Sequence, residues 1–250
     1  MSLRGEAQRA AVRCVLDAFG EDVREFDFVG GCALGLYARP TGAPLRATKD
    51  VDCISTHVPW VLQEKRLADM CSRGVLSPDA QFQCRYRIRG TDVDVDVLSP
   101  DGFNVGGVNP WFERAAQSAR PYDAGDGRTV MAVTPPYFLA TKLVAFESRG
   151  PDAQSSKDAE DIVTLAVEVD TLVARVDAEG IRGDVAGLWA RALTKYSLAE
   201  SDLPDLVDWH LDPREAEHSE RVCTNTARSA AVTTWRGARR DSRCGRGACS

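Results

Sequence analysis

Apolar residues recur at helical spacing over Glu6–Phe19, where Ala10, Val12, Val15, Leu16 and Phe19 form a stripe and Gly20 supplies a stop. The pattern changes to alternation over Arg24–Val29 (REFDFV), which reads as a strand that Gly30-Gly31 breaks sharply. Cys32–Tyr37 return to a helical pattern. Ala38–Ala47, with two prolines and a glycine, reads as a loop. Lys49–Ser55 (KDVDCIS) alternates as a second strand, and Trp60–Arg73 is a second amphipathic helix. Gln81–Ile88 and Thr91–Leu98 alternate on either side of Arg89-Gly90, the arrangement of a β-hairpin. Trp111–Ser118 suits a short helix, and Thr129–Val133 a short strand closed by Thr134-Pro135-Pro136. From Pro136 onward the period is helical, over Tyr137–Ser148, Lys157–Val169, Ile181–Tyr196 and Asp205–His210.

This order predicts an α+β fold. Residues 1–135 form a core built on a small mixed sheet with helices, and residues 136–219 form a helical region. Residues 220–250, rich in Arg, Ser, Thr and Gly and without periodicity, are expected to be disordered. No internal repeat is visible. A chain of 250 residues with 44% hydrophobic positions is long enough to bury a sizeable core and too apolar to be disordered throughout. No run approaches the 18 apolar residues of a membrane span, and the charged, amphipathic N-terminal stretch does not suit a signal peptide. A cytoplasmic location, with no membrane partner, is therefore expected.

Eight cysteines are scattered without a CxxC pair, and there are only three histidines. A structural zinc site and a disulfide framework are both disfavoured, and Cys14, Cys32, Cys53, Cys71 and Cys84 read as small buried hydrophobes. His57, His210 and His218 form no relay with Ser or Cys, so nucleophilic hydrolase chemistry has no support. The net charge of −6 conceals a basic end: residues 221–250 carry seven Arg against one acidic residue. The acidic body argues against broad nonspecific nucleic-acid binding, and a local basic groove would survive that average.

The chemistry concentrates in carboxylates and glycines. Alternation puts Asp50 and Asp52 on one face of their strand, about 6–7 Å apart. Two carboxylates so close repel one another, and a divalent cation such as Mg²⁺ resolves the repulsion. Gly30-Gly31, between a strand and a helix, would let backbone approach a phosphate closely. Asp92, Asp94 and Asp96 alternate along TDVDVDVL, so a neighbouring strand could bring one of them beside Asp50 and Asp52. Asp96 is favoured because Val97-Leu98 and Ser99-Pro100 follow it directly, with Asp94 as the substitute. A solvated acidic strand face would produce the same alternation.

The order strand, Gly-Gly, helix, loop, R-x-T-x-D-x-D resembles the nucleotidyltransferase superfamily, the group of DNA polymerase beta. Within it the chain looks like the minimal bacterial nucleotidyltransferases of the AbiEii and MenT toxin type. The matching residues are Gly30, Gly31 and Ala33 in FVGGCALGLY, Arg46, Thr48, Asp50 and Asp52 in RATKDVD, and Asp96 in VDVL. Lys142 in ATKLVAFESRG and Lys157–Asp161 in KDAEDIVTL match two later motifs, so the likeness spans roughly residues 25–170. Two departures stand out: Gly31 occupies a position where many relatives carry Ser, and the gap from Gly31 to Asp50 is long.

The resemblance implies a Mg²⁺-dependent transfer of a nucleotidyl group from an NTP, bound between the sheet and the C-terminal helices, to an acceptor hydroxyl. Asp50, Asp52 and Asp96 would hold the metal. With Lys142 and Asp158 they would form the catalytic set, Asp158 or Asp161 lying in the cleft. Gly30, Gly31, Arg46, Thr48, Lys49 and Asp161 would contact the nucleotide. The acceptor implied is RNA, notably tRNA, and the partner an antitoxin protein; a protein or small-molecule acceptor, or a nucleotide-binding module without transfer activity, are the alternatives. Independently of the resemblance, Lys142 could reach a triphosphate as a point charge, Asp158 and Asp161 share a helix face, and Ser155 or Ser156 could cap that helix.

Overall fold

The first helix, α1 (Glu6–Phe19), turns Ala11, Val12, Val15, Leu16 and Phe19 inward, with Ala11 rather than Ala10 in the buried stripe. Gly20 ends it at a positive φ of 56°, its N–H bonded to the Leu16 carbonyl. The computed structural model describes residues 5–39, 45–46, 48, 50–56, 60–101, 109–149 and 156–197. Lys49, Ser155, the Asp205–His210 segment and the 220–250 tail lie outside the described residues.

Among the described residues seven strands follow: β1 (Phe26–Val29), β2 (Asp50–Ser55), β3 (Leu76–Pro78), β4 (Arg85–Ile88), β5 (Asp94–Leu98), β6 (Arg120–Asp123) and β7 (Thr129–Ala132). They form one sheet in the order β3-β4-β5-β2-β1-β7-β6. β2 runs antiparallel to β1 and parallel to β5, β1 runs parallel to β7, and the outer pairs are antiparallel. The α+β class with a mixed sheet is therefore as the pattern leads one to expect, and β4–β5 is the expected hairpin. β1 begins later than the alternation suggests, because Gly20–Glu25 winds as a 3₁₀ helix. That segment is held by Arg66 of α3 (Trp60–Ser72), whose Nε donates to Glu25 at 2.6 Å. After Gly30 the chain makes a 3₁₀ turn over Gly31–Ala33, leaving only a four-residue α2 (Leu34–Tyr37) in place of a helix from Cys32.

One face of the sheet is apolar. Phe26, Phe28, Val51, Cys53, Val95 and Val97 are buried in a single cluster with Val12, Val15 and Phe19 of α1 and Leu67 and Met70 of α3. Cys32 and Cys53 are fully buried, whereas Cys14, Cys71 and Cys84 are half-buried; all five are free thiols. Strands β3 and β6 escape the sequence pattern because each is short and carries a proline at the border of the sheet, where a missing N–H costs no interior ladder bond.

The remaining helices are α4 (Phe112–Gln117), α5 (Pro135–Ser148), α6 (Lys157–Glu168), α7 (Leu172–Ala178) and α8 (Arg182–Tyr196). The chain divides into two compact units, Met1–Thr141 and Lys142–Ser250, with the division inside α5. In the second unit Leu143, Phe146, Leu165, Ile181 and Leu188 are buried. Ser156 caps α6, its Oγ accepting from the Ala159 N–H at 3.3 Å. Among the described residues no helix is long and apolar enough to cross a membrane.

Candidate functional site

Register decides which carboxylates meet. β2 and β5 are parallel with Asp50 beside Asp94 and Asp52 beside Asp96. On the sheet face opposite the apolar cluster, β2 and β5 therefore carry four carboxylates in two rows. The choice between Asp94 and Asp96 dissolves in part, since each lies next to one member of the β2 pair. Adjacent strands sit about 4.8 Å apart, so all four belong to one small patch.

β4 supplies counter-charges that the sequence reading missed. Across the β4–β5 hairpin, Arg85 faces Asp96 and Arg87 faces Asp94. Arg85 donates from Nε and Nη2 to the two oxygens of Asp96 at 2.7 and 2.8 Å, a two-pronged pairing. Arg87 grips Asp94 in the same way through Nε and Nη2. The pairing with Asp96 raises the Arg85 pKa, so this guanidinium stays charged. The signal was present as the alternation RYRI facing DVDVD across a short turn: an antiparallel hairpin puts charges of opposite sign at such spacing directly opposite one another.

Gly30 closes the other side of Asp52. β1 pairs Val29 with Asp52, and Gly30 follows at φ 71° and ψ −169°, a conformation open essentially to glycine alone. A Cβ at this position would stand 1.8 Å from Asp52 Oδ2. Glycine is thus required because the carboxylate is packed against the backbone, a reason the sequence alone did not offer. Gly31 opens the 3₁₀ turn, and Ala33 N–H bonds back to the Gly30 carbonyl at 3.1 Å.

The lead-in to β2 is fixed locally. The Thr48 Oγ accepts from the Asp50 N–H at 3.2 Å, a side-chain turn that sets the start of the strand. Gln8 of α1, 2% exposed, donates to the Arg46 carbonyl at 2.5 Å. Arg9 donates to the Gly35 carbonyl at 2.7 Å, and a Cβ on Gly35 would lie 2.5 Å from that of Gln8. The first helix therefore clamps both the segment after Gly31, at Gly35, and the backbone of Arg46.

In the second unit Lys142, Asp158 and Asp161 come together with one another. The Lys142 ammonium lies 2.9 Å from Asp158 Oδ1 and 2.8 Å from Asp161 Oδ2, and Arg149 Nη1 lies 3.1 Å from Asp158 Oδ2. The two carboxylates are 4% and 2% exposed. Asp158 and Asp161 share the buried face of α6 with Ile162 and Leu165, so the ion pairs tie α5 to α6.

A further carboxyl lies on β1. Asp27 is 6% exposed between Phe26 and Phe28, and burial pushes its pKa up to about 6. Its signal was a lone charge in an otherwise apolar strand.

Among the described residues no three His, Cys, Asp or Glu side chains converge to hold a metal ion by themselves. Mg²⁺ does not demand that: it is commonly held by one or two carboxylates, the other oxygens coming from substrate phosphates and water. Asp50 and Asp52, on one face and with a side-chain-free glycine against Asp52, fit such a shared site.

No family model matches the chain, and no curated protein matches it by sequence. Among solved structures, it is similar to an antigenic nucleotidyltransferase-like protein from Paracoccidioides brasiliensis. The two are 18% identical, with a TM-score of 0.46, over 76% of this chain and 95% of the other.

Proposed function

We propose that this chain transfers a nucleotidyl group from a nucleoside triphosphate to an acceptor hydroxyl, with Mg²⁺ as the metal. The observation that carries the reading is Gly30 packed against Asp52, in a face where Asp50, Asp94 and Asp96 stand in register. Gly30-Gly31 offers phosphates a backbone without Cβ atoms, and at Gly30 that backbone lies directly against Asp52. Asp50 and Asp52 would hold the cation, which would supply charge neutralisation to the transfer. Arg46 adds the positive charge that the sequence resemblance assigns to the triphosphate, and Thr48 sets the backbone of Asp50. Asp96 completes the carboxylate set, held in one rotamer by Arg85, and accepts the proton of the attacking hydroxyl. Pyrophosphate leaves. Most of the rate enhancement then comes from positioning and from charge already in place. Lys142 and Arg149 pair with Asp158 and Asp161, and none of the four takes part in the transfer. RNA, with tRNA foremost, is the acceptor class and an antitoxin the protein partner that the sequence resemblance suggests.

The test supplies Mg²⁺, each NTP radiolabelled at the α-phosphate, and a mixture of total RNA and lysate protein, with the Asp50→Asn/Asp52→Asn double variant alongside. Label in one macromolecular band, absent with the variant, is the expected result. Absence of label together with absence of any Mg²⁺- and NTP-dependent rise in melting temperature overturns the reading, because a ligand that binds the folded state must stabilise it. A rise in melting temperature with no label in any band points instead to a nucleotide-binding module.

A further inference from the structure

On the far side of Asp96 from Gly30 stands an exposed aromatic ring held in a tight turn. Phe82 is 55% exposed. Its turn is closed by Asp79, whose Oδ1 accepts from the Gln81 and Phe82 N–H groups at 2.7 and 3.0 Å, and by Arg85 N–H on the Phe82 carbonyl at 3.1 Å. The Arg85 guanidinium lies over the Phe82 ring, 5.4 Å from its centroid, while gripping Asp96. Across the sheet the order is thus Gly30, Asp52, Asp96, Arg85, Phe82.

That order has a direction. In a phosphoryl-type displacement the attacking and leaving oxygens lie roughly in line. With the leaving phosphates at Gly30-Gly31, the acceptor approaches over β5 and β4, past Asp96 towards Arg85 and Phe82. An aromatic ring and a guanidinium side by side recognise a planar base attached to a phosphate, as in single-stranded nucleic-acid sites. A guanidinium carries five N–H donors, and the pairing with Asp96 engages only Nε and Nη2. A protein hydroxyl acceptor would bring no base to stack.

Building on the proposed function, with RNA as the acceptor, we infer that Phe82 and Arg85 form its subsite: a terminal base stacks on Phe82 while the adjoining phosphate meets Arg85. Phe82 binds the acceptor and leaves the NTP alone, so its loss acts on acceptor affinity without touching nucleotide affinity.

The experiment measures fluorescence anisotropy of a short fluorescein-labelled single-stranded RNA of mixed sequence, and of an abasic strand of equal length, with wild type, Phe82→Ala and Phe82→Tyr. Each protein is also melted with and without Mg²⁺ and NTP. Phe82→Ala is expected to weaken RNA binding on the order of five- to a hundredfold, the range for loss of one stacked base. It should raise the KM for the RNA acceptor in parallel and leave the NTP-dependent melting shift unchanged. Phe82→Tyr should bind RNA within about twofold of wild type, since the ring face is retained. Wild type should bind the abasic strand more weakly than RNA. Wild-type affinity in Phe82→Ala, equal binding of the abasic strand, no RNA binding by wild type, or transfer to a protein band alone would each overturn the inference. The nucleotide reading fails separately, by loss of the NTP-dependent melting shift in wild type, and the anisotropy arm still decides Phe82 in that case.

Discussion

Replacing Asp27 by Asn tests how far burial governs the sheet face beneath β1. Asp27 is 6% exposed, opposite Ile54 of β2, on the strand that β7 flanks on its other side. Burial raises its carboxyl pKa from 3.8 to about 6. At about 1.4 kcal/mol per pH unit, two units correspond to about 3 kcal/mol against the ionised form in the folded chain. In the unfolded chain the group ionises near its ordinary value; in the folded chain it keeps its proton until about pH 6. Between these values the native state binds more protons, so the Asp27 contribution makes stability fall as pH rises. Below the ordinary value there is no penalty, and above about pH 6 the penalty is complete. Asn has the same shape and never ionises. Asp27→Asn is therefore expected to match wild type near pH 4 and to exceed it near pH 8 by on the order of 3 kcal/mol. Urea unfolding of both proteins across this range reads the difference directly, because every other titrating group is common to the two. Parallel stability curves, or an Asn variant that loses ground as pH rises, would refute the reasoning.

Two further outcomes follow from the geometry. Gly30→Ala combines a backbone conformation costing on the order of 1–3 kcal/mol for any residue with a side chain and a methyl group in the space of Asp52 Oδ2. The variant should fold with a lowered melting temperature and show no Mg²⁺- and NTP-dependent stabilisation; a wild-type increment would contradict the role given to this contact. Lys142→Met leaves Asp158 and Asp161 buried without their ammonium and should cost about 3–5 kcal/mol in urea unfolding. Adding Asp158→Asn and Asp161→Asn should recover much of that loss, and a single-variant cost under about 1 kcal/mol would show that the pair is not a structural tie.

Several features of the site were legible from local periodicity. Period two put Asp50 with Asp52 and Asp94 with Asp96, and the break at Gly30-Gly31 marked the end of β1. The Arg85–Asp96 and Arg87–Asp94 pairs were within reach of the same logic, since a hairpin fixes its own register once both strands are recognised. Asp27 was harder. A charge in FDFV reads as an exposed position until both neighbouring strands are known, and only then does its near-complete burial follow. The end of α1 at Gly20 was local and legible, and of the two serines offered as a cap for α6 it is Ser156 that fills the role, whereas the 3₁₀ segment before β1 depends on ion pairs with α3 that no local pattern reveals.

The amino-acid sequence by itself determined most of the elements, the two carboxylate pairs and the break after β1, because these depend on neighbours within a few residues. Tertiary structure alone decided that β5 lies parallel to β2 with Asp50 beside Asp94 and Asp52 beside Asp96. It alone decided that Gly30 is needed by Asp52 and that Lys142 is joined to Asp158 and Asp161. Those are pairings between distant segments. They are set by which faces can be buried together and by which charges then find a partner, and a periodicity read along one strand or one helix carries no record of its eventual neighbour.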